Sequence, residues 1–105
     1  MTEEVRKYKT DPDKIFVMLK ESSKDAGFNI DKIDETNRRL ILSTGMSLLS
    51  YGENVEVIVN PEREGGSKVY VKSWPRVWFN VTADGNVKRN IQKIFDSLEK
   101  DLINR

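Results

Sequence analysis

The stretch from Lys68 to Thr82, KVYVKSWPRVWFNVT, contains both tryptophans of the chain and indicates its fold most directly. Up to Ser73, small or aliphatic residues alternate with charged or aromatic ones, which is the two-residue period of a strand with one buried face. Pro75 interrupts this alternation, and proline belongs at the edge or end of a strand because it donates no hydrogen bond to a neighbouring strand. A second alternating run extends from Arg76 to Val81. We therefore predict a strand that bends or ends at Pro75.

Five side chains of this stretch are spaced two residues apart, namely Tyr70, Lys72, Trp74, Arg76 and Trp78. Large aromatic residues are usually buried, so one interpretation is that the aromatics complete the core while the charges face solvent. The other interpretation is that the strip is exposed and binds a partner. The spacing does not decide between them, because a bend at Pro75 shifts the alternation.

Earlier segments predict three more strands. Phe28 and Ile30 begin one, and the polar turn Asp34 to Asn37 leads into a second from Arg38 to Thr44, which makes a hairpin. The third alternates around Val57 and is followed by a turn that contains Gly65 and Gly66. In the second strand Leu40 and Leu42 lie on one side, and Arg39, Ile41 and Ser43 lie on the other. In the third, Val55, Val57 and Val59 alternate with Glu56, Ile58 and Asn60.

Two helices flank the strands. Asp11-Pro12-Asp13 predicts the start of the first, because aspartate caps free amides and proline suits the first helical position; Gly27 suits its left-handed end. Its predicted buried face is Ile15, Met18, Leu19, Ser22 and Ala26, with Phe16 and Val17 at the margins. Asp84 is the predicted cap of the second helix. The apolar stripe of that helix is Val87, Ile91, Ile94, Phe95, Leu98 and Leu102.

These elements predict one α+β domain over residues 1–105. It is a two-layer sandwich in the order helix, four-stranded antiparallel meander, helix. Residues 1–10 are either a short edge strand or a tail, since Val5 and Tyr8 are their only large apolar residues after the first methionine.

The order of elements resembles that of small uncharacterised bacterial domains of helix-grip or TATA-binding-protein-like topology. The local similarity lies in Ser43-Thr44-Gly45, in Ser50 to Val55 at the opening of a strand, and in Asp84 to Ile91 at the opening of the last helix. In topology it extends from about Tyr8 to Leu102. The resemblance implies a fold and brings no catalytic residues with it.

Composition excludes several classes of function. The chain has no cysteine and no histidine, which removes disulfides, thiolate chemistry, common zinc sites and imidazole catalysis. Capping and turn roles account for the carboxylates around Asp11 and Asp34, so we expect a protein that is not an enzyme and binds no cofactor or metal. No segment has the length of a membrane span or the pattern of a secretion signal, and we expect a cytoplasmic location.

The connection from Gly45 to Gly52 is unusually apolar for a link between strands. Exposed, it would contact a protein partner or an apolar ligand; buried, it would extend the strands beneath a helix. Our first hypothesis is a non-catalytic binding or accessory domain that uses this connection and the aromatic strand end. The residues assigned to that contact are Met46, Leu48, Leu49, Tyr51, Trp74, Arg76 and Trp78.

Nucleic-acid binding is the second hypothesis. The net charge is only +1, but residues 1–67 carry 10 Lys and Arg against 13 Asp and Glu, whereas residues 68–105 carry 8 against 4. Cations interleaved with aromatics are typical of single-strand nucleic-acid platforms. The residues assigned to it are Arg38, Arg39, Lys68, Tyr70 and Lys72. A third hypothesis, a carrier of a small lipid-like molecule, follows from the helix-grip resemblance. The sequence leaves the oligomeric state open.

Overall fold

The computed structural model describes residues 2–45, 52–76 and 83–104 of the protein. The elements are β1 (Thr2–Tyr8), α1 (Pro12–Asp25), β2 (Asn29–Asp34), β3 (Arg39–Ser43), β4 (Glu53–Pro61), β5 (Ser67–Pro75) and α2 (Ala83–Asn104). The strands form one antiparallel sheet in the order β1-β5-β4-β3-β2. The predicted α+β architecture is confirmed, and of the two alternatives for residues 1–10 the edge strand is the one present. The N-terminal segment is a strand of seven residues paired with β5 along its whole length, so the meander of four strands becomes a sheet of five.

Helix α1 begins and ends where the sequence predicts. The carboxylate of Asp11 accepts hydrogen bonds from the backbone N–H groups of Asp13 and Lys14, at 3.0 and 3.3 Å. Gly27 follows the helix with a φ of 94°, the left-handed conformation that glycine adopts without strain. The predicted buried face is confirmed for its first four members, Ala26 is half-buried, and Phe16 is buried fully instead of marginally.

Helix α2 begins at Ala83, one residue before the predicted cap; the side chain of Asp84 lies outside the described residues. Its apolar stripe is buried from Val87 to Leu98, and Leu102 packs against the core while partly exposed. Both helices contact each other and cover one face of the sheet, which we call the inner face. The wide apolar stripe of helical period therefore does lie on the sheet, as predicted.

The inner face is formed by the small and aliphatic residues of each alternating pattern. The fully buried side chains there include Leu40, Leu42, Val55, Val57, Val69 and Val71. Every second residue between them points to the opposite side, which we call the outer face, so the alternation predicted for β3, β4 and β5 is confirmed. The second extended run predicted after Pro75 falls on residues 77–81, which lie outside the described residues.

Candidate binding surface

An apolar row crosses three strands of the outer face. The register places Val5 of β1 opposite Tyr70 of β5, and Tyr70 opposite Ile58 of β4. Tyr70 and Ile58 are half-buried by their neighbours on the sheet, and Val5 is 41% exposed. Because neither helix covers this face, the row is accessible from solvent along the described strands.

Ion pairs border the apolar row. Lys72 lies 3.6 Å from Glu3, Arg39 lies 2.5 Å from Glu56, and Lys68 lies 3.6 Å from Glu62. A shallow depression of about 190 Å³ between the charged and apolar side chains is lined by Glu3, Glu56, Ile58, Asn60, Tyr70 and Lys72. The outer face thus combines apolar and charged groups, with each of these three cations near a carboxylate.

Trp74 lies on the outer face near the end of β5. It pairs with Asn54 of β4, and its side chain is half-buried. Arg76 follows as an exposed side chain, and its Nε donates to Oδ1 of Asn54 at 3.4 Å. The interpretation that the aromatics of this stretch complete the core is therefore wrong for Tyr70 and Trp74, because both have the opposite orientation to the buried Ser73.

The structure brings together four of the five residues assigned to nucleic acid. Arg39, Lys68, Tyr70 and Lys72 all belong to the outer face. Arg38 does not join them: it adopts a φ of 50° in the turn before β3, and its Nε donates to the carboxylate of Asp13 in α1 at 2.7 Å. The turn conformation directs this guanidinium toward the helix layer.

The other residues assigned to partner contact lie outside the described residues, namely Met46, Leu48, Leu49, Tyr51 and Trp78. The residues that flank them are described. Gly52 accepts a hydrogen bond on its carbonyl oxygen from the backbone N–H of Arg76, at 3.2 Å. The chain therefore re-enters β4 and leaves β5 at the same end of the sheet, beside Trp74.

Sequence reasoning missed a polar cluster beneath this end of the sheet. Glu53 is only 4% exposed, and its Oε1 accepts hydrogen bonds from Asn90 of α2 at 3.0 Å and from the hydroxyl of Thr44 at 3.2 Å. The Thr44 hydroxyl also accepts from the backbone N–H of Glu53 at 2.8 Å. These bonds offset part of the desolvation cost of a buried carboxylate and link β4 to α2.

A second cluster, also missed, ties β1 to α2. One carboxylate oxygen of Glu99 accepts from the hydroxyl of Tyr8 at 2.7 Å and from Arg6 at 2.6 Å. The Arg6 guanidinium lies 4.4 Å from the ring centre of Phe95, a distance typical of a cation–π contact. Burial, and then the hydrogen bond with Glu99, raises the pKa of Tyr8 far above its ordinary value. Burial acts to raise the pKa of Glu99, but the bonds from Tyr8 and Arg6 outweigh it and the pKa is lowered.

Within the described ranges, no group of three or more acidic side chains could hold a metal ion. Neither described helix is long and apolar enough to cross a membrane.

No protein-family model and no curated protein matches this sequence. Solved structures do match over nearly the whole chain. The crystal structure of Ara h 8.0201 is similar with a TM-score of 0.68 and 14% identity, over 99% of this chain and 97% of that one. The crystal structure of TTHA0849 from Thermus thermophilus is similar with a TM-score of 0.67 and 12% identity, over 98% and 97%. These similarities establish a helix-grip-like α+β fold and, at such low identity, nothing further.

Proposed function

We propose that this chain is a non-catalytic binding domain that recognises a protein partner or an apolar ligand at the end of the sheet marked by Trp74 and Arg76. The observation that supports it is the position of Trp74. This large aromatic side chain lies on the face that neither helix covers. The core contacts of its strand are made by Val69 and Val71, so Trp74 is not needed in the core. Tryptophan and arginine together are enriched among the residues that dominate binding energy at protein interfaces.

Two apolar stretches of the sequence, residues 46–51 and 77–82, support the same location. Their flanking residues Gly52 and Arg76 are hydrogen-bonded to each other, so the segments 46–51 and 77–82 are both attached beside Trp74. Met46, Leu48, Leu49, Tyr51 and Trp78 are accordingly part of the proposal. Apolar patches on a protein surface mark interaction sites, which is the reason for including these residues.

An apolar fluorescent probe tests the proposal. We expect anilinonaphthalene sulfonate to bind saturably and to shift the indole NMR signal of Trp74. Trp74→Ala should weaken that binding about ten-fold, because an aromatic anchor supplies a large share of the energy at such a site. Val17→Ala is the matched control, since Val17 is an aliphatic side chain 49% exposed on α1, in the helix layer. Equal affinity for the wild type and for Trp74→Ala would refute the assignment.

Nucleic-acid binding is a second candidate. Its support is that Arg39, Lys68, Tyr70 and Lys72 lie on one open face together with Trp74, as a stacking platform requires. The paired carboxylates weigh against it, because a cation already near a carboxylate gains less from a phosphate. A lipid-like ligand is supported by the fold similarity only, and the inner-face valines of β4 and β5 are already buried against the helices.

A further inference from the structure

Strand β1 forms a regular free edge of the sheet. It pairs with β5 without interruption from Thr2 to Tyr8, and within the described part of the chain no strand pairs with its other side. The opposite edge, β2, is irregular, with a register shift between Ile30 and Lys32. Bulges of that kind discourage pairing with another strand, whereas a regular edge presents unpaired backbone donors and acceptors.

The sequence of β1 is complementary to itself. In Thr-Glu-Glu-Val-Arg-Lys-Tyr, the acidic pair before Val5 mirrors the basic pair after it. In an antiparallel pair of two β1 strands centred on Val5, Glu3 of one copy lies opposite Lys7 of the other, and Glu4 lies opposite Arg6. Val5 lies opposite Val5. Oppositely charged residues directly across an antiparallel pair attract, and they do so here on both faces of the sheet.

We propose that two copies of this chain associate through β1, in that register, to form one continuous ten-stranded sheet. The two-fold axis passes between the Val5 residues and is perpendicular to the sheet, so the outer faces of the copies are continuous. Pairing satisfies the free backbone groups of both edges and covers part of Val5, one of the few large apolar side chains that the described chain exposes.

Other registers are unfavourable. A slip of one residue would place inner-face side chains opposite outer-face ones, which an antiparallel pair does not allow. A slip of two residues in one direction places Glu4 opposite Glu4, and in the other direction Arg6 opposite Arg6. Like charges directly opposite each other repel, so the register centred on Val5 is the one that the charges select.

Lys7 gives a local reason for the pairing. It lies directly opposite Lys68 of β5, and none of the described carboxylates is within ion-pair distance of it. In the proposed pair, Glu3 of the partner copy lies on the other side of Lys7 and offsets the repulsion between the two lysines. Glu3, which is 3.6 Å from Lys72 in its own chain, then lies between two cations.

A charge exchange tests the proposal. Lys7→Glu and Glu3→Lys each place like charges opposite one another twice in the pair, and each should weaken association about ten-fold or more. The double variant E3K/K7E restores both attractions and should recover wild-type association. Within one wild-type chain, residue 3 attracts Lys72 and residue 7 repels Lys68. In the double variant residue 3 repels Lys72 and residue 7 attracts Lys68, so the balance of contacts with β5 is unchanged. Recovery of association therefore reports on the pairing of copies. Sedimentation velocity over a concentration series at low salt gives the dissociation constants.

Lys14→Glu on α1 is the control for net charge, because it makes the same charge change at an exposed site outside β1. Circular dichroism checks that each variant is folded. In a mixture of differently labelled copies, an NMR contact between the methyl groups of Val5 is expected. A protein that remains monomeric at the highest concentrations used for NMR would overturn the proposal. A dimer whose affinity is unaffected by Lys7→Glu would also overturn it, since such a dimer uses another surface.

Discussion

Gly66 determines how closely the turn between β4 and β5 approaches the end of β1. Its φ is 85°, and a Cβ atom at this position would lie 2.4 Å from the carbonyl oxygen of Tyr8. The next residue, Ser67, donates its hydroxyl to the carbonyl oxygen of Thr10 at 2.6 Å. The backbone at the end of β1 is therefore in direct contact with this turn, and any side chain larger than that of glycine at position 66 would clash with it.

Gly66→Ala should be much more destabilising than Gly65→Ala. Gly65 has a similar φ of 89° but no atom within 4 Å of an added Cβ, so its replacement carries only the conformational cost, about 1–2 kcal/mol. Replacement of Gly66 adds a clash with backbone atoms that cannot move aside as a flexible side chain would, and should cost about 3 kcal/mol or more in total. Urea denaturation measures both. Equal losses would mean that the turn shifts away from β1 without cost.

Single residues also show what alternation in the sequence could and could not predict. Glu53 lies two and four residues before Val55 and Val57 and therefore on the same face of β4. The alternation that places these valines on one side could have placed Glu53 there too. Its partner Asn90 could not have been found that way, because the two residues meet only when α2 lies on the sheet. The outward orientation of Trp74 follows from the continuation of β5 through Pro75, which the sequence left open.

At the scale of elements, β1 illustrates why one strand was left undecided. Its inward-facing residues, such as Glu4 and Arg6, are polar, so β1 lacks the apolar alternation that identifies a half-buried strand. Arg6 pairs with Glu4 of the same strand and with Glu99, which is 93 residues away in sequence. Strands β3, β4 and β5 and both helices carry their own periodic patterns, and those patterns were predicted correctly. Strand β2 has no regular alternation of burial and begins at Asn29, one residue after the predicted Phe28.

The contact of β1 with α2 should make stability depend on pH. The pKa of Glu99 is lower in the folded chain than its ordinary value, so its contribution is complete above the ordinary carboxyl range and is lost as the pH falls through the lowered pKa. Glu99→Gln should therefore flatten the decline of stability between about pH 5 and pH 3. The effect should be modest, because Glu99 and Arg6 are both partly exposed and solvent screens their attraction.

Asp96→Asn is the control for that measurement, because it removes one negative charge from an exposed site on the same helix. Thermal or urea unfolding at a series of pH values provides the comparison. If Asp96→Asn flattens the acid decline as much as Glu99→Gln does, the dependence arises from overall charge rather than from the contact between β1 and α2.

At the scale of the whole molecule, folding offsets part of a charge asymmetry that the sequence displays. The first 67 residues have a net charge of −3 and the remainder +4, and this asymmetry underlies the nucleic-acid hypothesis. In the structure, Lys68 and Lys72 of β5 lie near Glu62 and Glu3, which come from the acidic part of the chain. Charges separated along the sequence are thus adjacent in space, and a charge profile along the chain overestimates the positive potential of the folded face.

The balance between the two candidate functions can therefore be tested with a short single-stranded oligonucleotide. We expect no saturable binding to the wild type at physiological salt, because Arg39, Lys68 and Lys72 are already near carboxylates. Glu56→Gln removes the partner of Arg39 and should produce weak binding at low salt, with a slope of log affinity against log salt of about −0.7 for each phosphate that the variant neutralises. Glu64→Gln, in the exposed turn after β4, makes the same charge change away from the outer face. Tight, strongly salt-dependent binding by the wild type would instead make nucleic-acid recognition the better assignment for this face.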